Sequence, residues 1–170
     1  MSIPQKPSRI SLYWIWLIVL IVSLDQGSKY LVVSSLEANR PIGILPSVDL
    51  VLSYNKGISF SWFQFGDDVQ RWPLVGLSVL ASVFLGWWLS RVPSGRPILA
   101  LGLILILGGA LGNMLDRARI GSVVDFVHVF YKAWSFAMFN LADVAITAGV
   151  VVTMASTYLE TPTVWADGQG

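Results

Sequence analysis

The sequence predicts a mainly α, integral membrane protein: four transmembrane helices with a small β-sheet between the first and second. Three observations carry this. Of 170 residues, 55% are hydrophobic and 12% charged, about half the charged share of a soluble domain. Four apolar stretches each approach the roughly 20 residues that cross about 30 Å of hydrocarbon. Between the first two stretches the pattern changes to β-branched and alternating residues.

The first helix is expected over about 11–36, interrupted by the cluster Asp25-Gln26-Gly27-Ser28-Lys29. Lys6 and Arg9 ahead of Leu12 to Leu24 look like the basic and apolar regions of a signal peptide. No small-x-small cleavage site follows, and three further apolar stretches do, so an uncleaved first membrane helix is expected. Residues 37–71 form a longer loop. Val48 to Leu52 reads as a strand, and Ile58-Ser59-Phe60-Ser61-Trp62 alternates as a half-buried strand does. Together they predict a small sheet on the membrane surface, its apolar face toward lipid or substrate; an ordinary amphipathic loop is the alternative. Phe63 to Asp68 would add a short surface helix.

The second and third helices are expected over about 72–89 and 98–115. Pro93, Ser94, Gly95 and Pro97 make the turn between them tight, so the two are antiparallel neighbours. Gly108, Gly109 and Gly112 give the third helix a small-residue face, which lets helices approach closely in lipid. The fourth helix is expected over about 139–159. Residues 1–160 are expected to form a single membrane-embedded domain, with 161–170 as a disordered tail.

Composition removes several chemistries. With no cysteine there is no disulfide, thiolate metal site, cysteine nucleophile or cysteine-linked lipid. A single His, at 128, leaves a zinc site almost entirely to carboxylates. A net charge of +1 gives no electrostatic reason to expect nucleic acid. Orientation from charge is ambiguous: Lys6, Arg9, Arg91 and Arg96 favour one side as cytoplasmic, while Arg40, Lys56, Arg71, Arg117, Arg119 and Lys132 outnumber them on the other.

The acidic residues in or near the helices separate by their neighbours. Asp25 has Lys29 at ion-pair spacing, and Asp116 precedes Arg117 and Arg119, so both read as braces at helix ends. Asp125 and Asp143 have no Lys or Arg within five residues, and His128 is the only local partner of Asp125. An ionisable group at membrane depth points to function. Brought together, two such carboxylates would share one proton and act as general base and general acid on water. Three other readings stay open. Each aspartate could cap a helix or bind a backbone amide. Acids at this depth also suit a small transporter or proton conductor, or a structural membrane subunit. A serine–lysine pair at Ser28-Lys29 or Lys56/Ser59 is disfavoured: adjacent helical residues point apart, and Asp25 keeps Lys29 charged.

Five stretches in this order resemble the bacterial lipoprotein signal peptidases (signal peptidase II), and the resemblance covers nearly the whole chain. They are Asp25-Gln26-Gly27-Ser28-Lys29, Tyr54-Asn55-Lys56-Gly57-Ile58-Ser59-Phe60, Gly108 to Arg117, Val123-Val124-Asp125-Phe126, and Phe139-Asn140-Leu141-Ala142-Asp143. The resemblance implies an aspartyl endopeptidase of the bacterial inner membrane that needs no cofactor or metal. It would cleave diacylglyceryl-modified prolipoproteins just before the lipidated cysteine. Asp125 and Asp143 would be catalytic. Asp25, Lys29, Asn55, Gly57, Asn113, Arg117 and Asn140 would support the site or bind substrate. The active site and a cradle-like sheet would face the periplasm, with both termini cytoplasmic. Its partners would be the substrates and membrane lipid, and a monomer is expected. Ile58-Ser59 departs from the family pattern, where two small residues are common; this bears on substrate fit.

Overall fold

A computed structural model describes residues 12–57, 66–132 and 134–160. The chain runs α1 (Leu12–Ser35), β1 (Ile42–Leu45), β2 (Val48–Asn55), α2 (Gly66–Arg91), α3 (Pro97–Ile120), β3 (Val123–Tyr131), β4 (Trp134–Phe139) and α4 (Leu141–Leu159). All four helices are long and apolar enough to cross a membrane.

The third helix is the centre of the bundle. More than half of its span is buried, 56%, against 11–17% for the others. It packs against α1, α2 and α4. The glycines explain how. A Cβ at Gly108 would lie 2.8 Å from the Ile21 side chain of α1. One at Gly112 would lie 2.5 Å from the Asp25 carboxylate, and one at Gly149 of α4 would lie 2.7 Å from the Gly102 carbonyl. The small face therefore seats α1 and α4 at backbone distance. Leu85, Leu89, Leu103, Ile104 and Leu107 fill the core beneath it. At the other end of α3, Arg96 offers no side-chain cap. Glu160, just beyond α4, accepts from the Ile98 and Leu99 amides instead, tying the two helices.

The sheet departs from expectation in its origin. Among the described residues it has four antiparallel strands in the order β1-β2-β3-β4. Of these, β1 and β2 come from the loop between α1 and α2, and β3 and β4 come from the segment between α3 and α4. Val123-Val124-Asp125-Phe126-Val127 reads as a strand once β2 offers an edge to it. Both Val51 and Leu52 of β2 are buried, because an irregularity between Leu50 and Ser53 breaks the alternation of faces.

Boundaries also shift. The first helix runs without interruption through Asp25–Lys29, since those polar side chains find partners across the bundle. The second begins at Gly66 rather than Trp72 and contains Pro73, so Gly66-Asp67-Asp68 belong to it and not to a separate surface helix. The third continues past Leu115 to Ile120, ending on Gly121 at φ 76°, a left-handed cap glycine suits. Phe139 ends β4, and Asn140 caps α4. The expected strand over Ile58–Trp62 and the tail over 161–170 lie outside the described residues.

Candidate active site

At the sheet end of the bundle the polar residues form two linked clusters. The first neutralises charge. Lys29, 3% exposed, donates to Asp25 at 2.8 Å and pairs with Asp116 at 2.8 Å. The Asp25 carboxylate also accepts from the Ala142 amide at 3.0 Å, fastening α1 to the start of α4. Asp116 accepts from Gln26 at 2.8 Å and from the Val124 amide at 3.2 Å, fastening α3 to β3. Asp116 thus finds its ion-pair partner on α1, and among the described residues neither Arg117 nor Arg119 makes a salt bridge to it. Buried charges are tolerable only when paired and hydrogen-bonded in this way.

The second cluster holds Asp125 and Asp143 through amides. Asn140 is fully buried. Its Nδ2 donates to Asp125 Oδ1 at 2.8 Å and to Asn113 Oδ1 at 3.1 Å. Its Oδ1 accepts from the Asp143 backbone N–H at 3.1 Å, and its own N–H donates to Asp143 Oδ2 at 3.1 Å. This reciprocal capping box starts α4. Asn113 then donates to Asp143 Oδ1 at 2.8 Å while accepting from Lys29 at 3.0 Å. The two aspartates therefore meet on one network, with Lys29 behind it.

Asn55, at the end of β2, completes the set by donating to Asp125 Oδ2 at 2.9 Å. Gly57 fixes which way that amide faces. Its N–H donates to Asn55 Oδ1 at 2.8 Å, which turns Nδ2 toward Asp125. Gly57 has φ 87°, and a Cβ there would be strained and would lie 3.0 Å from Leu74. Arg117 lies under Gly57 and interacts electrostatically with Asp143, Asp125 and Asp116. Its Nε is buried without a hydrogen bond among the described residues.

Asp125 is 2% exposed. Burial raises its pKa above the ordinary 3.8, Asn55 and Asn140 oppose that by hydrogen bonding, and the Asp143 charge adds to it. His128 is not its partner. Three residues along a strand places it on the opposite face, where it contacts Ser135 at 2.9 Å and Asp49 at 3.8 Å. Ser28 donates to the Asp25 carbonyl at 2.8 Å, and Lys29 is held between two carboxylates, so these two make no nucleophilic pair. Ser59 lies outside the described residues.

Gln26 was not among the expected site residues, although it lies in the first motif. It donates to Asp116 and reaches Asp25 and the Gly112 carbonyl, each at 3.2 Å. A signal for this cluster was available: an ammonium has three donors, so Lys29 at membrane depth needs more acceptors than Asp25 alone. Among the described residues no group of three or more His, Asp or Glu is placed to hold a metal. Asp143 also lines an apolar groove of about 680 Å³, walled by Phe136, Phe139, Val144, Thr147 and Val151.

A four-span bundle with a carboxylate–amide network beneath a surface sheet defines a class: a multi-pass membrane enzyme. The fold matches two solved structures of bacterial membrane enzymes. One has a TM-score of 0.76 at 21% identity, covering 98% of this chain and 99% of its own. The other has a TM-score of 0.77 at 21% identity, covering 94% and 100%. The family model described as signal peptidase (SPase) II matches residues 17–159. The chain is also 43% identical over 145 residues to a lipoprotein signal peptidase of Coxiella burnetii (strain Dugway 5J108-111), covering 85% of this chain and 89% of the relative. It is 38% identical over 146 residues to one from Pseudoalteromonas translucida, covering 86% and 88%. A third, from a Methylobacterium species (strain 4-46), is 41% identical over 149 residues, covering 86% of each. The chain belongs to the signal peptidase II family and is a membrane protease.

Proposed function

We propose that this protease removes signal peptides from diacylglyceryl-modified prolipoproteins of the bacterial inner membrane, cleaving before the lipidated cysteine with water activated by Asp125 and Asp143. The observation that carries the reading is their shared hold: Asn140 donates to Asp125 and bonds Asp143, while Asn113 bridges Asn140 and Asp143. Amides orient carboxylates without forcing them to stay ionised, as the proton traffic of an acid–base pair requires. Asp125, buried and with raised proton affinity, suits the proton donor to the scissile carbonyl oxygen or leaving amine. Asp143, half-buried on the groove wall, suits the base that takes a proton from water. Lys29, Asp25, Asn55, Gly57, Arg117 and the two asparagines then act as the supporting shell.

The groove beside Asp143 suits the apolar segment of a signal peptide. The lipid would fix the depth and register of the scissile bond against the pair, a positioning effect. The active site would face the periplasm, with both termini cytoplasmic, in a single peptidase domain that acts as a monomer. The test uses a precursor peptide with and without the diacylglyceryl group, in one detergent. Lipidated peptide should be cleaved, unlipidated peptide much more slowly, and Asp125→Asn and Asp143→Asn should each lose about 10²–10⁴-fold. More than a tenth of wild-type rate in either variant would refute the pair. Equal rates for the two peptides would refute the lipid requirement.

A further inference from the structure

The sheet ends on β4, which pairs with β3 on one side and, among the described residues, with no strand on the other. Its outward N–H and C=O groups form a free edge, able to take up a further extended chain. This edge lies beside the candidate catalytic pair. Asn140 follows Phe139 directly and caps α4, and Ala137 and Phe139 line the same groove as Asp143. The other free edge, β1, is separated from β3 and Asp125 by β2 and contributes nothing to the lining of that groove.

The groove has a direction. Its wall on α4 is two rows, Asp143-Thr147-Val151 and Val144-Ala148-Val152, each repeating every fourth residue, and so one face of the helix. From Asp143 to Val152 it runs about 14 Å at about 1.5 Å per residue. Val144 and Val151 are exposed, so the wall is open sideways to lipid. The argument rests on the activity proposed above, in which the apolar segment of the precursor precedes the scissile bond. An apolar helix on this face then runs toward Asp143, opposite to α4, which begins there. Because β4 leads into α4 through Asn140, a chain that passes Asp143 and continues beside β4 is antiparallel to β4 as well. The rest of the sheet already pairs in that way.

The usable edge is short. Ala137, Met138 and Phe139 pair in regular register with Val129, His128 and Val127, but the register shifts before Ser135 and leaves Phe136 without a partner. An irregularity of this kind at an edge ends pairing. Successive residues of an antiparallel strand turn their N–H and C=O groups alternately to one neighbour and the other. The edge therefore offers either Ala137 and Phe139 together, or Met138 alone.

We propose that the first residues of the mature chain, just beyond the scissile bond, bind as an extended strand added antiparallel to β4 at residues 137–139, while the apolar segment of the signal peptide lies along α4. Recognition on the mature side is then by main-chain hydrogen bonds, which tolerate different side chains and hold the scissile carbonyl against Asp125 and Asp143.

The test is a backbone scan of one diacylglyceryl-modified precursor peptide. Single amide-to-ester replacements, which remove an N–H and add no bulk, are placed at the second to sixth mature residues. Within the second to fourth, kcat/KM should fall about three- to tenfold at alternate positions only, and alanine side chains at the same positions should change it less than twofold. Esters at the fifth and sixth should have no effect. In a second measurement, wild-type protein binds a lipidated precursor whose scissile amide is reduced to a methyleneamine. Hydrogen–deuterium exchange should slow in β4 and stay unchanged in β1, the other open edge. A flat ester scan with the unmodified peptide cleaved would overturn the pairing and leave the proposed activity standing. So would unchanged exchange in β4, or protection of β1 in its place. Failure to cleave the unmodified lipidated precursor would instead overturn the activity on which the pairing rests.

Discussion

Asn140 offers a sharp test because it performs two separable tasks. Its Oδ1 caps α4 by accepting from the Asp143 N–H, and its Nδ2 serves Asp125 and Asn113. Asn140→Ala removes both. The lost cap costs about 1 kcal/mol. Asp125 Oδ1 and Asn113 Oδ1 each lose a donor, and an unsatisfied buried acceptor costs about 1–3 kcal/mol. Asn113 still accepts from Lys29 and Asp125 still accepts from Asn55, so the lower end applies, and the total is about 2–4 kcal/mol. Asn140→Asp instead retains a good cap but replaces the amide donor with a third carboxylate facing Asp125. Its stability loss should differ in kind, being relieved at low pH as the added carboxyl protonates. Both variants should lose about 10²-fold or more in cleavage, because misplacement of reacting groups by about 1 Å has that effect. Thermal unfolding in detergent measures the first quantity, and a gel-shift assay on a lipidated precursor the second. Cleavage by Asn140→Ala within twofold of wild type would refute the idea that this amide aligns the pair.

Three further outcomes are expected. Gly112→Ala should lower stability by about 1–3 kcal/mol and impair cleavage, since its Cβ would sit 2.5 Å from Asp25 Oδ2; Gly76→Ala, with open space around it, should stabilise by about 0.4–1 kcal/mol, and thermal unfolding compares the two. The Asp125 carboxyl binds its proton more tightly folded than unfolded, so its contribution to stability is present below pH 3.8 and is lost as pH rises through the raised value; melts of wild type against Asp125→Asn should show the difference moving against wild type with rising pH, and a flat or opposite trend would contradict it. For orientation, a single cysteine at Ser94 should be shielded from an impermeant thiol reagent on intact spheroplasts and one at Asp67 should label; the reverse pattern would place the network on the cytoplasmic side.

The helices were legible because crossing hydrocarbon demands length and apolarity together, and little else in the chain satisfies both. Their ends were less so. The expected end of α3 at Leu115 followed the last apolar residue before Asp116-Arg117, but charges that find partners across the bundle do not end a helix. The strands β3 and β4 were missed for a related reason. Val123 to Val127 is apolar apart from Asp125 and does not alternate, and pairing with β2, some seventy residues away in sequence, makes it a strand. Among the candidate residues, Asp125 and Asp143 stood out by what they lacked, a local cation. Asp116 is the brace that its charged neighbours suggested, but the same rule named the wrong partner, because its ion pair is with Lys29 on another helix. Neighbours in sequence report local pairing only; the long-range partners of a buried charge are fixed by the fold.

The distribution of partners also bears on how the proposed pair would work. Four buried or half-buried carboxylates converge here, with Lys29 among them. That ammonium is bound to Asp25 and Asp116, which brace α1, α3, β3 and α4. Asp125 and Asp143 receive amide and backbone N–H donors, and the nearby Arg117 makes no hydrogen bond to either among the described residues. A direct ion pair would hold a carboxylate firmly ionised and remove it from proton exchange near neutral pH. An asparagine amide holds geometry with a weaker electrostatic demand. The same bundle end thus divides its acids by their partners: those held by the ammonium lock helices together, and those held by amides and backbone N–H groups are the ones the proposed reaction would use. Moving the ammonium's influence is therefore more informative than deleting it. In Asn113→Asp, a third carboxylate would accept from Lys29 and could no longer donate to Asp143 Oδ1, so cleavage should fall while the Asp25–Lys29–Asp116 brace persists.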